Sequence, residues 1–335
     1  MKAFEIQEFG IDNLKLVERE RPQVTPGHAL VRMTAVSLNY RDLMVVKGQY
    51  NPKLKRPMVP LSDGAGVVEE VGSGVTRFKK GERVVGCFFQ KWVEGPITRE
   101  KTGSALGGAI DGVLQEYKLF AEEGLLPSPS SLSDEEAAAL PCAAVTAWHA
   151  LFEHTPSIPG SSVLIQGTGG VSMFALQFAK VAGLRMIVTS SSDEKLERVR
   201  SLGAHETVNY KRNENWDAEA RKLTGGEGVD HIIEVGGSGT LPRSLKAVRM
   251  GGAVSVIGVL SGVEPNVTPR EILMNSVRVQ GIYVGSRLMF ERMNRAIDLH
   301  AIKPVIDKTF AWTEYKKALR HMEGQSHFGK ICLQF

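Results

Sequence analysis

Short apolar segments alternate with longer segments of helical periodicity in the second half of the chain. Residues 163–165 read V-L-I with no polar alternation, which is typical of a strand covered on both faces of a parallel sheet. Strands are predicted over 163–166, 186–189, 206–209, 231–234 and 253–257, and helices over 173–182, 194–202, 215–223 and 241–248. This alternation predicts an α/β fold with a doubly wound parallel sheet.

The first 120 or so residues have a different pattern, with short strands and frequent turns. Strands are predicted over 29–35, 64–75 and 82–89, so this part is expected to be a β-rich domain. The period becomes helical over 132–154, where Ser133 precedes three acidic residues and marks a helix start. The tail is predicted to form a helix over 314–322 and a last strand over 330–333 that returns to the first domain.

A glycine-rich motif connects the first parallel strand to the helix after it. Residues 162–172 read S-V-L-I-Q-G-T-G-G-V-S, so Gly167, Gly169 and Gly170 lie at the strand-to-helix turn. Such a turn presents backbone N–H groups and the positive end of a helix dipole to one point, where a pyrophosphate binds. The motif predicts a dinucleotide site, although Ser172 stands where a third glycine or alanine is usual. The alternative is a turn that binds no ligand.

The end of the second parallel strand bears on the choice of coenzyme. An NAD site usually has Asp or Glu there to bind the ribose 2′-OH, whereas residues 189–192 read T-S-S-S. Hydroxyl groups with a nearby cation, Lys195 or Arg198, favour the 2′-phosphate of NADP. The serines also suit helix capping, because Ser191 with Glu194 fits a capping box. Both interpretations hold together if Ser190 binds the coenzyme while Ser191 caps the helix.

Composition and charge narrow the classes of function. The 335 residues are 42% hydrophobic and 23% charged, with a formal net charge of +4. This charge is too small and too scattered to indicate a nucleic-acid or membrane-surface partner. We expect no signal peptide and no membrane span. The three cysteines are widely spaced, which suits a reducing compartment, so a cytoplasmic protein is expected.

Several spaced motifs resemble those of the medium-chain dehydrogenases/reductases. They are G-A-G-V-V at 64–68, F-K-K-G-E-R-V at 78–84, G-T-G-G-V at 167–171 and F-G-K at 328–330. The resemblance covers nearly the whole chain and implies three segments. These are a GroES-like catalytic domain over 1–121, a Rossmann domain over 122–281 and a return to the catalytic domain over 282–335. It also implies an interdomain cleft and a homodimer.

Zinc-dependent members of this superfamily hold a catalytic zinc through a cysteine, a Gly-His-Glu element and a second cysteine. The corresponding residues here are Asn39, 61–63 (L-S-D) and Cys142. One thiol, with Asp63 as a possible helper, is too few ligands for zinc. The family's lobe of four cysteines is also missing, since Cys87 is the sole cysteine of the first domain. No metal is therefore predicted, and Cys142 is interpreted as a small apolar residue at a helix start.

The zinc-free branch that the chain resembles contains quinone oxidoreductases and NADPH-dependent enone or enoyl reductases. Residues 38–42 and 48–50 are similar to its substrate-side loop. The resemblance implies an NADP(H) site formed by Thr146, Gly167, Thr168, Gly169, Gly170, Val171, Ser190, Ser191, Lys195, Tyr210 and Lys330. It implies reduction of a quinone or an activated double bond. The alternatives are a metal-free alcohol dehydrogenase or aldehyde reductase, and a non-catalytic NADPH-binding module.

Reduction of an enone requires little acid–base chemistry from the protein, because the coenzyme supplies the hydride. Hydride addition at the β-carbon leaves an enolate, whose oxygen needs a hydrogen-bond donor. The candidate donors are the Asn39 amide, the Tyr40 or Tyr50 hydroxyl and the nicotinamide ribose, and the proton comes from Tyr50 or solvent. Asp42 is either a general acid or a cap for the helical turn at 43–46. For both tyrosines, simple packing is the alternative.

Overall fold

The computed structural model describes residues 1–258 and 267–335. They form two compact units, the first comprising Met1–Val145 with Val284–Phe335 and the second Thr146–Tyr283. The second boundary lies close to the predicted one at 281, whereas residues 122–145 join the first unit instead of the second. The reason is a small-residue contact, in which Ala137 and Ala138 pack against Ala35 and Ala65 of the first unit's sheet.

The strands are β1 (Lys2–Glu5), β2 (Lys15–Glu18), β3 (His28–Leu38), β4 (Asp63–Val71), β5 (Arg83–Gly86), β6 (Tyr117–Ala121), β7 (Leu125–Pro127), β8 (Ser162–Gln166), β9 (Arg185–Ser190), β10 (Glu206–Asn209), β11 (Val229–Glu234), β12 (Val248–Val256), β13 (Arg278–Gly281), β14 (Ile306–Ala311) and β15 (Lys330–Gln334). The α-helices are α1 (Tyr40–Val46), α2 (Arg99–Thr102), α3 (Asp134–Ala138), α4 (Val145–Trp148), α5 (Gly170–Val181), α6 (Asp193–Leu202), α7 (Trp216–Leu223), α8 (Leu241–Ala247), α9 (Pro269–Met274), α10 (Arg287–His300) and α11 (Tyr315–Glu323). Short 3₁₀ turns cover Ile11–Asn13, Glu122–Gly124 and Trp312–Glu314, and π-helical turns cover Leu140–Ala144 and His149–Glu153.

The first unit is built on a mixed sheet with strand order β14-β15-β3-β4-β5-β7, to which β6 adds by pairing with β3. The last strand, β15, pairs antiparallel with β3, with Ile331 opposite Leu38. The tail therefore returns to the first unit, as predicted. This register places Lys330, at the start of β15, beside Asn39, which directly follows β3.

The second unit contains a parallel sheet with strand order β10-β9-β8-β11-β12-β13. This arrangement confirms the predicted doubly wound α/β fold. Every residue of β8 is buried, in agreement with its unbroken apolar pattern. Because all the strands run in the same direction, the carboxyl ends of β8, β9 and β11 lie along one edge of the sheet. In sheets of this kind, ligands bind at that edge.

Two local predictions can be compared with the structure in detail. The helical period predicted over 132–154 is confirmed, with Ser133 as the N-cap, but the helical residues are divided among α3, α4 and the two π-helical turns, the first of which contains Pro141 near its start. The predicted cap of α6 is shifted by one residue. Ser192, not Ser191, is the N-cap, and its hydroxyl accepts a hydrogen bond from the backbone N–H of Lys195. Among the described residues, no helix combines the length and apolar character needed to cross a membrane.

Candidate active site

The glycine turn in the second unit, residues 167–172, has the geometry expected of a dinucleotide site. Gly167 has a φ of +70°, which favours glycine, and its N–H donates to the Thr189 carbonyl oxygen at 2.8 Å. Gly169 is the N-cap of α5, and a side chain built there would meet no atom within 4 Å. The first N–H groups of α5 have no carbonyl partner inside the helix. The turn therefore leaves room and donors for a phosphate.

Ser172, which replaces the usual small residue of the motif, is used inside the turn. Its hydroxyl is buried and donates to the carbonyl oxygen of Gln166 at 2.6 Å. This bond ties the first turn of α5 to the end of β8. The serine thus closes the turn with a hydrogen bond where glycine would close it by allowing tight packing.

The end of β9 carries the residues predicted to bind the 2′-phosphate. The Ser190 hydroxyl accepts from the N–H of Ser192 at 3.3 Å, and the Ser190 carbonyl accepts from the N–H of Tyr210 at 3.1 Å. Asp193, the first acidic residue after the strand, is already held, because its carboxylate accepts from the Asn209 amide at 2.7 Å and pairs with Arg212. The negative charge at this strand end is therefore compensated.

The remaining predicted coenzyme residues lie on neighbouring segments. Thr168 is buried within the glycine turn, Gly170 and Val171 begin α5, Thr146 is buried in α4, Ser191 precedes the α6 cap, and Lys195 lies in the first turn of α6. Lys330 belongs to the first unit and is described below.

A buried carboxylate at the end of β11 was missed by sequence reasoning. Oε1 of Glu234 accepts from the N–H groups of Gly236 and Gly237 and from the Thr240 hydroxyl, at 2.5–3.0 Å. Its Oε2 accepts from the Gln166 amide at 2.7 Å and the Ser244 hydroxyl at 2.5 Å. These bonds join the end of β8 to the loop that follows β11. The signal that could have identified it is an acidic residue at the end of an apolar strand, directly before V-G-G-S-G.

In the first unit, the residues around Asn39 form a connected group that we call the Asn39 cluster: Asn39, Asp42, Ser62, Asp63, Cys142 and Lys330. The side-chain nitrogen of Lys330, which is only 3% exposed, donates to the Leu38 carbonyl oxygen at 2.7 Å and to Asn39 Oδ1 at 2.6 Å. It also lies 3.8 Å from Asp63 Oδ2. An ammonium group therefore occupies the centre of this cluster.

Asp63 connects Lys330 to Ser62 and Cys142. Its Oδ1 accepts from the Ser62 hydroxyl at 2.7 Å, and its Oδ2 accepts from the backbone N–H of Cys142 at 3.0 Å. Burial, together with the nearby Asp63 carboxylate, raises the pKa of the Cys142 thiol well above its usual range. The positions that the family resemblance assigns to zinc do come together, but as a hydrogen-bonded network around a lysine.

Asp42 is almost fully buried in the first turn of α1. Its Oδ2 accepts from the backbone N–H of Asn39 at 2.8 Å, so it caps a helix that begins at Tyr40 and not the predicted turn at 43–46. Burial raises the pKa of Asp42 to about 6, and the Asp63 carboxylate adds to this shift, whereas Arg41 and Lys330 oppose it.

The two predicted tyrosines have different surroundings. Tyr50 is 39% exposed, and the Arg41 guanidinium lies 5.1 Å from the centre of its ring. Tyr40 is partly buried and packs against the core of the first unit. Of the four predicted catalytic residues, Asn39 and Asp42 are in direct contact, and Arg41 links Asp42 to Tyr50. Within residues 1–258 and 267–335, no group of three or more His, Cys, Asp and Glu side chains is arranged to hold a metal ion.

Comparison with known proteins gives matches along the whole chain. Residues 25–130 match the family model of the alcohol dehydrogenase GroES-like domain, and residues 170–301 match that of the zinc-binding dehydrogenases. The chain is 47% identical to a zinc-type alcohol dehydrogenase-like protein of Schizosaccharomyces pombe, covering 97% of this chain and 96% of that protein. It is 31% identical to the quinone oxidoreductase of Rattus norvegicus, covering 99% and 97% of the two chains. The solved structure of an NAD-dependent alcohol dehydrogenase, 33% identical, superposes with a TM-score of 0.92 and covers 100% of both chains.

Proposed function

We propose that this protein, which belongs to the medium-chain dehydrogenase/reductase superfamily of oxidoreductases, is an NADPH-dependent reductase of quinones or activated carbon–carbon double bonds that works without zinc. The matches to the two family models and to these relatives confirm the family and the GroES-like and Rossmann folds that the sequence predicts. The coenzyme, the substrate class and the absence of zinc are our proposals. The observation that carries zinc independence is the Asn39 cluster, in which a lysine ammonium is bonded among the residues that correspond to zinc ligands.

The donor set of the Asn39 cluster does not fit zinc. Zinc sites in proteins are formed by about four thiolate, imidazole and carboxylate ligands. The cluster offers one thiol, an amide, a hydroxyl and two carboxylates, and both carboxylates already accept hydrogen bonds from the protein. The positive charge of Lys330, 3.8 Å from the Asp63 carboxylate, would also repel a divalent cation. The family model described as zinc-binding matches residues 170–301, a range that contains no member of the cluster.

The second unit supports NADPH as the coenzyme. The glycine turn fits a pyrophosphate, Ser190 stands at the strand end where an NAD site usually has a carboxylate, and Arg212 compensates the charge of Asp193. Bound NADPH would supply one hydride to the substrate and leave as NADP⁺. Since one solved relative is described as NAD-dependent, dissociation constants for NADPH and NADH must both be measured. We expect NADPH to bind at least tenfold more tightly.

In the proposed reaction, the first unit stabilises the negative charge that forms on the substrate. When hydride adds to the β-carbon of an enone, the electrons of the double bond move to the carbonyl oxygen. The Asn39 amide is the donor we assign to that oxygen. A proton from Tyr50 or solvent then adds to the α-carbon and completes the reduction. Asp42 is assigned to helix capping, because its carboxylate is buried against the Asn39 N–H.

A second candidate is the metal-free reduction of aldehydes, which the alcohol dehydrogenase-like names of the relatives favour. The deciding experiment follows NADPH consumption with a quinone, an enone and an aldehyde, each with and without a chelator. Turnover of quinone or enone that the chelator leaves unchanged would support the proposal. Turnover of the aldehyde alone would favour the second candidate, and loss of activity on chelation would refute zinc independence. NADPH binding without any turnover would indicate a coenzyme-binding module.

We also propose a homodimer, which the family resemblance implies. Light scattering on the purified protein measures its mass in solution. A single species of the chain's own mass, 36.6 kDa, across the concentrations used for activity would refute the dimer.

A further inference from the structure

The contact between Lys330 and Asn39 determines which way the Asn39 amide faces. A lysine ammonium has three N–H donors and no acceptor, so the amide atom that lies 2.6 Å from it must be the oxygen. The NH₂ group consequently faces away from Lys330. It lies 3.5 Å from the Ser62 hydroxyl, at the outer limit of a hydrogen bond. Because an amide NH₂ carries two N–H groups, at least one remains for a ligand.

Lys330 is itself held in place from several directions. The Leu38 carbonyl accepts a second N–H of its ammonium, and Asp63 balances its charge from 3.8 Å. Asp63 is in turn bonded by Ser62 and by the backbone N–H of Cys142. Rotation of the ammonium would break these bonds inside a buried site, where unsatisfied polar groups are costly. The position of Lys330 is therefore well determined.

The backbone of Asn39 is also held, since its N–H donates to the buried Asp42 carboxylate at 2.8 Å. Main chain and side chain are thus restrained by two separate charged groups. We infer that Lys330 is a positioning residue, which holds the Asn39 amide with its NH₂ group toward the oxygen of a carbonyl or quinone substrate. The inference rests on the proposed function. The positive charge bonded to Oδ1 also polarises the amide and strengthens its N–H groups as donors.

This role differs from the coenzyme contact that the family resemblance assigns to Lys330. The two roles predict different kinetics. If Lys330 acts through Asn39, its replacement lowers kcat, and this loss disappears once the Asn39 amide has been removed. If Lys330 binds the coenzyme, its replacement raises the dissociation constant of NADPH whether or not Asn39 is present.

The test is a double-mutant cycle on the full-length protein. Because Lys330→Met alone would leave Asp63 buried without a counter-charge, the cycle uses the Asp63→Asn background, to which Lys330→Met, Asn39→Ala and both are added. In the same Asp63→Asn background, Lys330→Gln keeps a hydrogen-bond donor without the charge and is expected to lose less activity than Lys330→Met. Lys308→Met, on the neighbouring strand β14, is the matched control for removal of a lysine. Thermal unfolding of each variant verifies the fold.

Lys330→Met is expected to lower kcat by about tenfold to a hundredfold and to leave the NADPH dissociation constant within about twofold. Adding Asn39→Ala should then cause no further loss. Losses that multiply, or weaker NADPH binding with unchanged kcat, would overturn the inference. If the wild type reduces no quinone, enone or aldehyde, the proposed function fails. Lys330 is then judged from binding of butanamide, an unreactive carbonyl compound, to the NADP⁺ complex. Lys330→Met and Asn39→Ala should weaken that binding equally, and no effect of Lys330→Met would refute its role.

Discussion

Asp63 in the first unit and Glu234 in the second are both fully buried carboxylates, but their partners differ. Asp63 lies beside the Lys330 ammonium and within a group that also contains Asp42 and Arg41. Glu234 is surrounded by neutral donors, with five hydrogen bonds from two backbone N–H groups, two hydroxyls and an amide. One unit balances a buried charge with an opposite charge, and the other solvates it with dipoles.

This difference determines how the stability of each site responds to substitution of one of its residues. In the first unit, the removal of one charged group leaves another buried and uncompensated, and removal of its partner restores the balance. In the second unit, removal of the carboxylate leaves several donors without an acceptor, and no single second substitution restores them. The following predictions test this contrast, beginning with the largest expected effect.

Glu234→Ala should lower the free energy of unfolding by about 4 kcal/mol, because several buried donors lose their acceptor together. It should also weaken NADPH binding, since the loop after β11 loses its connection to Gln166 at the glycine turn. Denaturant unfolding and coenzyme titration measure both effects. Glu227→Ala, an exposed glutamate of the same unit, is the control. An unfolding free energy within about 1 kcal/mol of wild type would contradict the solvating role of the network.

Asp63→Ala should lower the free energy of unfolding by about 3 kcal/mol, because the Lys330 ammonium stays buried without its counter-charge. The double variant Asp63→Ala with Lys330→Met should regain more than half of that loss. Denaturant unfolding of the two variants decides the matter. If the double variant is less stable than the single one, charge balance is not what stabilises this cluster.

His231, in the second unit, should make the protein less stable in acid. Burial, with a smaller contribution from Arg278, lowers the pKa of His231 to about 4, and its ring nitrogens lie 3.0 Å and 2.8 Å from the Ser157 and Ser255 hydroxyls. Below its ordinary pKa of 6.5 the unfolded chain binds a proton that the folded chain resists. Stability is therefore lost as the pH falls from about 6.5 toward 4, by up to about 3 kcal/mol. His231→Gln should flatten this dependence in unfolding measured across that range.

Asp42, in the first unit, should produce the opposite slope. Because its folded pKa is raised from 3.8 to about 6, the folded chain keeps a proton that the unfolded chain releases. The contribution to stability is present below about pH 4 and is lost as the pH rises through about 6, by 2 to 3 kcal/mol at most, as an order of magnitude. Asp42→Asn keeps an acceptor for the Asn39 N–H and should remove the slope. A variant whose stability follows the wild-type curve between pH 4 and 6 would refute the assignment.

The smallest expected effect concerns the glycine turn. Ser172→Gly restores the usual small residue but removes the hydrogen bond to the Gln166 carbonyl, so we expect a loss of about 1 kcal/mol in unfolding free energy. NADPH affinity should change by less than about threefold, because the phosphate-facing N–H groups belong to the backbone. Ser172→Ala separates loss of the bond from added flexibility. A gain in stability on Ser172→Gly would show that the hydroxyl contributes nothing.

Structural features that depend on residues close together in the sequence could be predicted from the sequence. The apolar run at 163–165 and the glycines after it lead directly to β8, the turn and α5, because strand burial and positive φ leave signals in local composition. The regular alternation of elements was enough to predict the parallel sheet. The cap of α6 was predicted at Ser191, one residue before the observed cap, Ser192. Adjacent serines are equally good caps, and only the backbone geometry distinguishes them.

The Asn39 cluster was decided by tertiary structure alone. Asn39 and Lys330 are 291 residues apart and meet because β15 pairs with β3 in one register. A shift of that register by one residue would turn the lysine to the other face of the sheet. Glu234 likewise became a buried centre only when β8 and β11 were paired. By itself, the sequence determined the fold and the glycine turn, through local pattern. The partners of its buried charges depend on contacts between distant segments, which local pattern does not encode.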